Sequence, residues 1–215
     1  MTESKKLSFT KDEKYFFLCR LHSLSGIFPI GFYFAFHMMA NAKSLLGAES
    51  YDSLIKGIGE LPFLHAIEIS VIAIPLLFHI LWGIVIYLTA KSNVVQYPFC
   101  ANWRYFLQRL TGVIGIAFIA LHVWATRVEA LVSGIPPSFI SMQNEINEPY
   151  MALVYLIGTI ALTYHLTNGI WTFLITWGAT VSPRAQKVSG IVCGALFLAF
   201  SSVWIQIIAN FKGWF

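Results

Sequence analysis

From Pro149 to Pro183 the chain carries no charged side chain over 35 consecutive residues. A helix rises about 1.5 Å per residue, so about 20 apolar residues cross a bilayer core of about 30 Å. Backbone groups have no water to bond in that layer, so a stretch of this kind folds as a helix. Four other stretches read the same way. Residues 21–42 are uncharged, 61–90 hold only Glu68, and 188–211 are uncharged. The fifth runs from Gln108 to about Val132 and is charge-free between Arg109 and Arg127. The expected fold is therefore all-α: an integral membrane bundle of five transmembrane helices. A polar arm over 1–20 precedes a single transmembrane domain over 21–215. Pro29 and Pro75 fall inside spans and are expected to interrupt them, since each removes a backbone donor.

Composition supports a membrane setting. Only 11% of residues are charged and 57% are hydrophobic, against about 25% charged in a typical soluble domain. The first 20 residues are polar and predict no cleavable leader. Cys19, Cys100 and Cys193 are far apart and form no CxxC or CxxCH, which argues against a disulfide framework, structural zinc or covalently attached haem. Basic residues set the orientation. With a cytoplasmic amino terminus, Lys5, Lys6, Lys11, Lys14, Arg20, Lys91, Arg104, Arg109, Arg184 and Lys187 lie inside. Lys43, Lys56, Arg127 and Lys212 lie outside, a bias of ten to four. No nucleic-acid partner is expected.

Four of the six histidines lie well inside apolar spans, His37, His79, His122 and His165, while His22 and His65 sit at span ends. An imidazole in a membrane helix is costly without a partner and marks a functional site by default. Counting from the nearest outer charge, His37 is six residues from Lys43 and His122 five from Arg127, about 8–9 Å of helix. His79 and His165 are 19 and 17 residues from Glu60 and Glu148, about 26–28 Å. The histidines sort into an outer pair, His37 with His122, and an inner pair, His79 with His165, roughly 18 Å apart. Two imidazoles from two helices at each level suit two b-type haems whose irons are saturated and carry electrons. The ring hydrogen turned away from each iron calls for a carbonyl or hydroxyl one turn away. Helix-bridging histidines are the plainer alternative, and zinc the weaker one.

A haem also needs close helix approach and donors for its propionates. Gly26, Gly31, Gly83, Gly112, Gly115, Gly158 and Gly169 supply the first. His22, Ser23, Arg109 and Arg184, near the inner face, are candidates for the second, although the arginines also serve as plain inside anchors. Trp103, Trp124, Trp171 and Trp177 read as interface or packing residues.

The motifs RLHSLSG (20–26), PLLFHILWG (75–83), QRLTG (108–112), HVWATR (122–127), HLTNG (165–169) and TWGATVSPR (176–184) resemble the cytochrome b subunit of succinate:quinone oxidoreductases. The likeness is to the five-helix, di-haem type that works with menaquinone, and it covers nearly the whole chain outside 1–14 and 133–148. It implies that His37 and His122 hold the distal haem and that His79 and His165 hold the haem beside the soluble subunits. It also implies a cytoplasmic flavoprotein and iron–sulfur subunit as partners, a membrane quinone as substrate, and a cell-membrane location.

A quinone exchanges protons with its electrons, and the resemblance implies a quinone site near the outer haem with a carboxylate beside it. Glu60 and Glu68 flank His65 near the outer end of the second span. Either carboxylate is a candidate for the proton step, with His65 a lesser candidate at the quinone. The resemblance places such a group just before or at the start of the second helix. Two rival classes remain at this stage. One is a di-haem anchor of a formate dehydrogenase or hydrogenase; the other is a haem-free transporter, which a reduced-minus-oxidised spectrum would expose.

Overall fold

The computed structural model describes residues 10–214, so Lys5 and Lys6 lie outside the described residues. Among the described residues there are ten α-helices; eight of them, with short 3-10 and π segments, make five units long and apolar enough to cross a membrane, and two lie in the connections. Among the described residues there is no strand.

The first unit begins earlier than expected. Helix α1 (Lys11–Ile27) starts in the expected arm, because Thr10 and Glu13 form a capping box that satisfies the first free backbone donors. The chain breaks at Pro29, which lacks an amide hydrogen, and resumes as α2 (Ile30–Ala42). A 3-10 turn (Lys43–Leu46) and α3 (Ala48–Gly59) follow on the outer side.

The second unit opens with α4 (Leu64–Ile67), passes through a π segment (Glu68–Ala73), and continues as α5 (Ile74–Thr89) with Pro75 in its first turn. Proline cannot donate to the preceding turn, and the widened π turn lies directly before it. The third unit is α6 (Cys100–Val123), a second π segment (Trp124–Val128) and α7 (Glu129–Ser133). Helix α8 (Phe139–Asn147) lies in the outer loop, and α9 (Met151–Thr176) and α10 (Pro183–Lys212) complete the bundle.

Helix α9 is the centre. It packs against α6, α10 and α1, while α5 leans on α1. Its buried face carries Thr159, Thr163 and Thr167, whose hydroxyls donate to the carbonyls four residues earlier. That satisfies each polar group within the helix and leaves a slim surface for neighbours to approach. Span α4–α5 has no buried residue and forms the edge of the bundle. The largest buried cluster lies toward the outer end, where Tyr51, Ile146 and Phe211 from α3, α8 and α10 close over Phe118, Tyr155 and Trp204. Asp52 accepts from the Phe139 amide and so ties α3 to the start of α8.

Candidate functional site

The bundle brings the four intramembrane histidines together as two couples. The rings of His79 (α5) and His165 (α9) have centroids 6.1 Å apart at 86°. Those of His37 (α2) and His122 (α6) are 5.7 Å apart at 72°. A metal–imidazole bond is about 2.0–2.1 Å, and the ring centre lies about 1 Å further back, so trans imidazoles on one metal have centroids about 6 Å apart. Both couples have the centroid spacing that a shared metal would require.

At the inner level each ring is held by its other nitrogen. His165 Nδ1 lies 2.9 Å from the Gln108 carbonyl, and His79 Nδ1 lies 3.1 Å from the His22 carbonyl and 3.3 Å from Ser25 Oγ. That leaves each Nε2 with its lone pair free, the arrangement metal-binding histidines adopt. The sequence pointed to acceptors one turn away. They come instead from facing helices, which puts the whole bundle in control of ring orientation.

Glycines make this contact possible. A Cβ on Gly26 would stand 2.6 Å from His79 Cε1, and one on Gly112 would stand 3.1 Å from His165 Cε1. At Gly26 only a bare backbone admits the imidazole without a shift, and at Gly112 a Cβ would press on it.

At the outer level His122 Nδ1 lies 3.4 Å from the Tyr155 hydroxyl, and Tyr33 stacks on His37 with centroids 5.5 Å apart. Asn41 Nδ2 lies 3.3 Å from His37 Nε2 and also donates to the His37 carbonyl at 2.9 Å. A metal at Nε2 would displace the first contact while the amide keeps the second.

The inner-face candidates differ from one another. The His22 ring stacks on His79 at 3.9 Å, and His22 Nδ1 is buried without a partner. Arg109 donates to the carbonyls of Tyr87 and Ala90, and its Nε is likewise buried and unpartnered. These two orphaned nitrogens suit an anionic group such as a propionate. Ser23 is half-buried, and it is Ser25 that meets His79. Arg184 is exposed in the first turn of α10, which fits an inside anchor.

The outer carboxylates also separate. Glu60 is exposed and pairs with Lys56 at 3.9 Å on the surface. Glu68, at the start of one π segment, pairs with Arg127 in the other. His65 Nδ1 lies 3.1 Å from Arg127 Nη2 and 3.3 Å from Glu68 Oε2. Arg127 read in the sequence only as an outer charge, and its place five residues beyond His122 was the one available hint of a larger role. Ser25, Gln108, Tyr155 and Asn41 were not singled out either, since nothing local distinguishes a polar residue that meets a histidine from one that does not.

The fold and these couples define a class: a helical membrane protein with imidazoles facing each other at two levels. Residues 87–204 match the family described as succinate dehydrogenase/fumarate reductase transmembrane subunit. The chain is 39% identical over 196 residues to the succinate dehydrogenase cytochrome b558 subunit of Bacillus subtilis (strain 168), covering 91% of this chain and 96% of that protein. It belongs to the family of succinate dehydrogenase/fumarate reductase transmembrane subunits. That sets aside the formate dehydrogenase, hydrogenase and transporter classes.

Proposed function

We propose that this subunit holds two b-type haems, one between His37 and His122 and one between His79 and His165. It passes electrons between a cytoplasmic iron–sulfur subunit, itself served by a flavoprotein, and a membrane quinone, with menaquinone the expected one. The observation that carries this reading is the inner couple: facing rings 6.1 Å apart, each anchored at Nδ1 so that Nε2 is free. Bound there, each iron would accept and release one electron with no open position for oxygen. The cytochrome b558 name of the relative from Bacillus subtilis supports a haem role.

The chain's own residues do the rest. His79 and His165 are fixed by carbonyls of α1 and α6, and the buried nitrogens of His22 and Arg109 offer donors to propionates. At the outer end Glu68 Oε2, held between Arg127 and His65, is positioned to accept a hydrogen bond from a quinol hydroxyl and then its proton. Glu60 lies exposed at the surface while Glu68 is part-buried, so Glu68 is the preferred proton acceptor. The ten-to-four bias of basic residues supports a cytoplasmic amino terminus in the cell membrane. Five spans would put residues 10 and 214 on opposite sides of the membrane.

The test is haem content per chain, with His37, His79, His122 and His165 each changed to alanine. Loss of one spectral component with either member of a couple, and of the other component with the other couple, is expected. A colourless assembled complex, or one that keeps both components in all four variants, sinks the reading.

A further inference from the structure

Helix α6 presents Arg104 and Gln108 to α9, which answers with His165 and Asn168, and the four join in one hydrogen-bonded chain. Arg104 Nε donates to Asn168 Oδ1 at 2.9 Å, and Asn168 Nδ2 donates to Gln108 Oε1 at 2.8 Å. Gln108 Nε2 donates to the His165 carbonyl at 3.0 Å, and the Gln108 carbonyl faces His165 Nδ1 at 2.9 Å. Gln108 therefore grips His165 at both backbone and ring. Asn168 is 2% exposed. A polar side chain so deeply buried is costly unless fully bonded, and here both ends of its amide are used. The guanidinium of Arg104 lies 3.8 Å over the Trp171 ring. Gly190 of α10 leaves room for it, since a Cβ there would stand 3.0 Å from Arg104 Nη1.

Packing alone would not call for this arrangement. Apolar residues of similar volume would fill the same space without a cation, and taking even a half-buried charge partly out of water has a cost. Surface anchoring does not explain it either, because Arg104 is engaged by Asn168 and Trp171 on α9. The hydrogen-bonded chain runs from the guanidinium to His165, the residue that faces His79.

We propose that Arg104, Asn168 and Gln108 are positioning residues that clamp His165 and bring one positive charge to bear on the inner redox centre, raising its potential. This rests on the reading of His165 as an iron ligand. An oxidised haem carries one more positive charge than a reduced one. A nearby guanidinium therefore disfavours the oxidised form, and its removal lowers the potential.

The experiment is an equilibrium redox titration of the purified, assembled complex, read from the reduced-minus-oxidised bands and the low-spin EPR signals. Arg104→Gln and Asn168→Leu should lower the potential of the component that His165→Ala removes, leaving the other unmoved. The expected shift is up to about tenfold in the reduced-to-oxidised ratio, about 59 mV for a one-electron couple. Gln108→Met should alter the EPR signal of the same component, and Arg104→Lys should restore most of the potential. If Asn168→Leu does not assemble, Arg104→Gln and Gln108→Met decide alone. Unchanged potentials and signals, or equal shifts in both components, overturn the relay while leaving the ligand assignment intact. A His165→Ala complex that keeps both components overturns the ligand assignment itself.

Discussion

Arg127 and Glu68 meet from two helices at the points where each helix widens into a π turn. The pair is about one-third exposed on each side, 35% and 32%, so it contributes little to stability, under about 1 kcal/mol. On the proposed reading its role is at the quinone. Glu68→Gln and Arg127→Gln should each lower quinone turnover about tenfold, equivalent to about 1.4 kcal/mol. The double variant should lose no more than the worse single, because the two act as a unit. Glu60→Gln should leave turnover unchanged. Losses that multiply in the double variant would show that the residues act independently.

The contact of Gly26 with His79 gives a spectroscopic prediction. In Gly26→Ala the new methyl would stand 2.6 Å from the ring, and the ring must turn away. One haem component should be lost or strongly shifted, the same one that His79→Ala removes, while the other stays. Gly57→Ala meets nothing within 4 Å. It should leave both components intact and raise stability by about 0.5–1 kcal/mol through helix propensity.

Much of this was legible in the sequence, for reasons that differ by residue. The five spans follow from charge-free runs, because lipid excludes charges locally and leaves a local trace. The facing of His37 with His122, and of His79 with His165, follows from counting helical rise from the outer ends. What was hidden is contact between helices. His79 finds its acceptor on a residue 57 positions earlier, and Arg127 finds Glu68 across 59. No periodicity encodes such pairs. The early start of α1 was hidden for another reason: Tyr15, Phe16 and Phe17 sit among Lys11, Asp12, Glu13 and Lys14, and the charges mask a well-capped first turn.

Glu145, in the outer loop helix α8, sets a pH dependence. Burial pushes its carboxyl above the ordinary range, helped by the charges of Glu129 and Glu148, and its Oε1 has no partner. A carboxyl raised on folding contributes stability that is complete below its unfolded pKa and is lost as pH rises through the folded value. Thermal melting of the complex should therefore weaken as pH climbs above about 4.3, the ordinary glutamate value. Glu145→Gln should flatten that slope and melt higher at neutral pH. An identical slope in the variant would assign the dependence elsewhere.

Phe211 is 2% exposed and packs on Tyr51 and Phe139, with ring centroids 5.5 and 5.0 Å apart. Phe211→Ala opens a cavity beneath the outer cap and should cost about 3–5 kcal/mol. The melting temperature should fall while the absorbance spectrum of the folded complex is unchanged. A spectral change before melting would mean that the cap also shapes the outer histidine couple.

Helix α9 touches both histidine levels, with Tyr155 beside His122 and His165 facing His79. Ten positions separate those contacts, about 15 Å along one continuous rod. If each level holds a haem as proposed, the spacing between the two is set largely along this single stiff element. A thicker or thinner bilayer can lean the rod over, yet the Tyr155–His165 spacing along it stays the same.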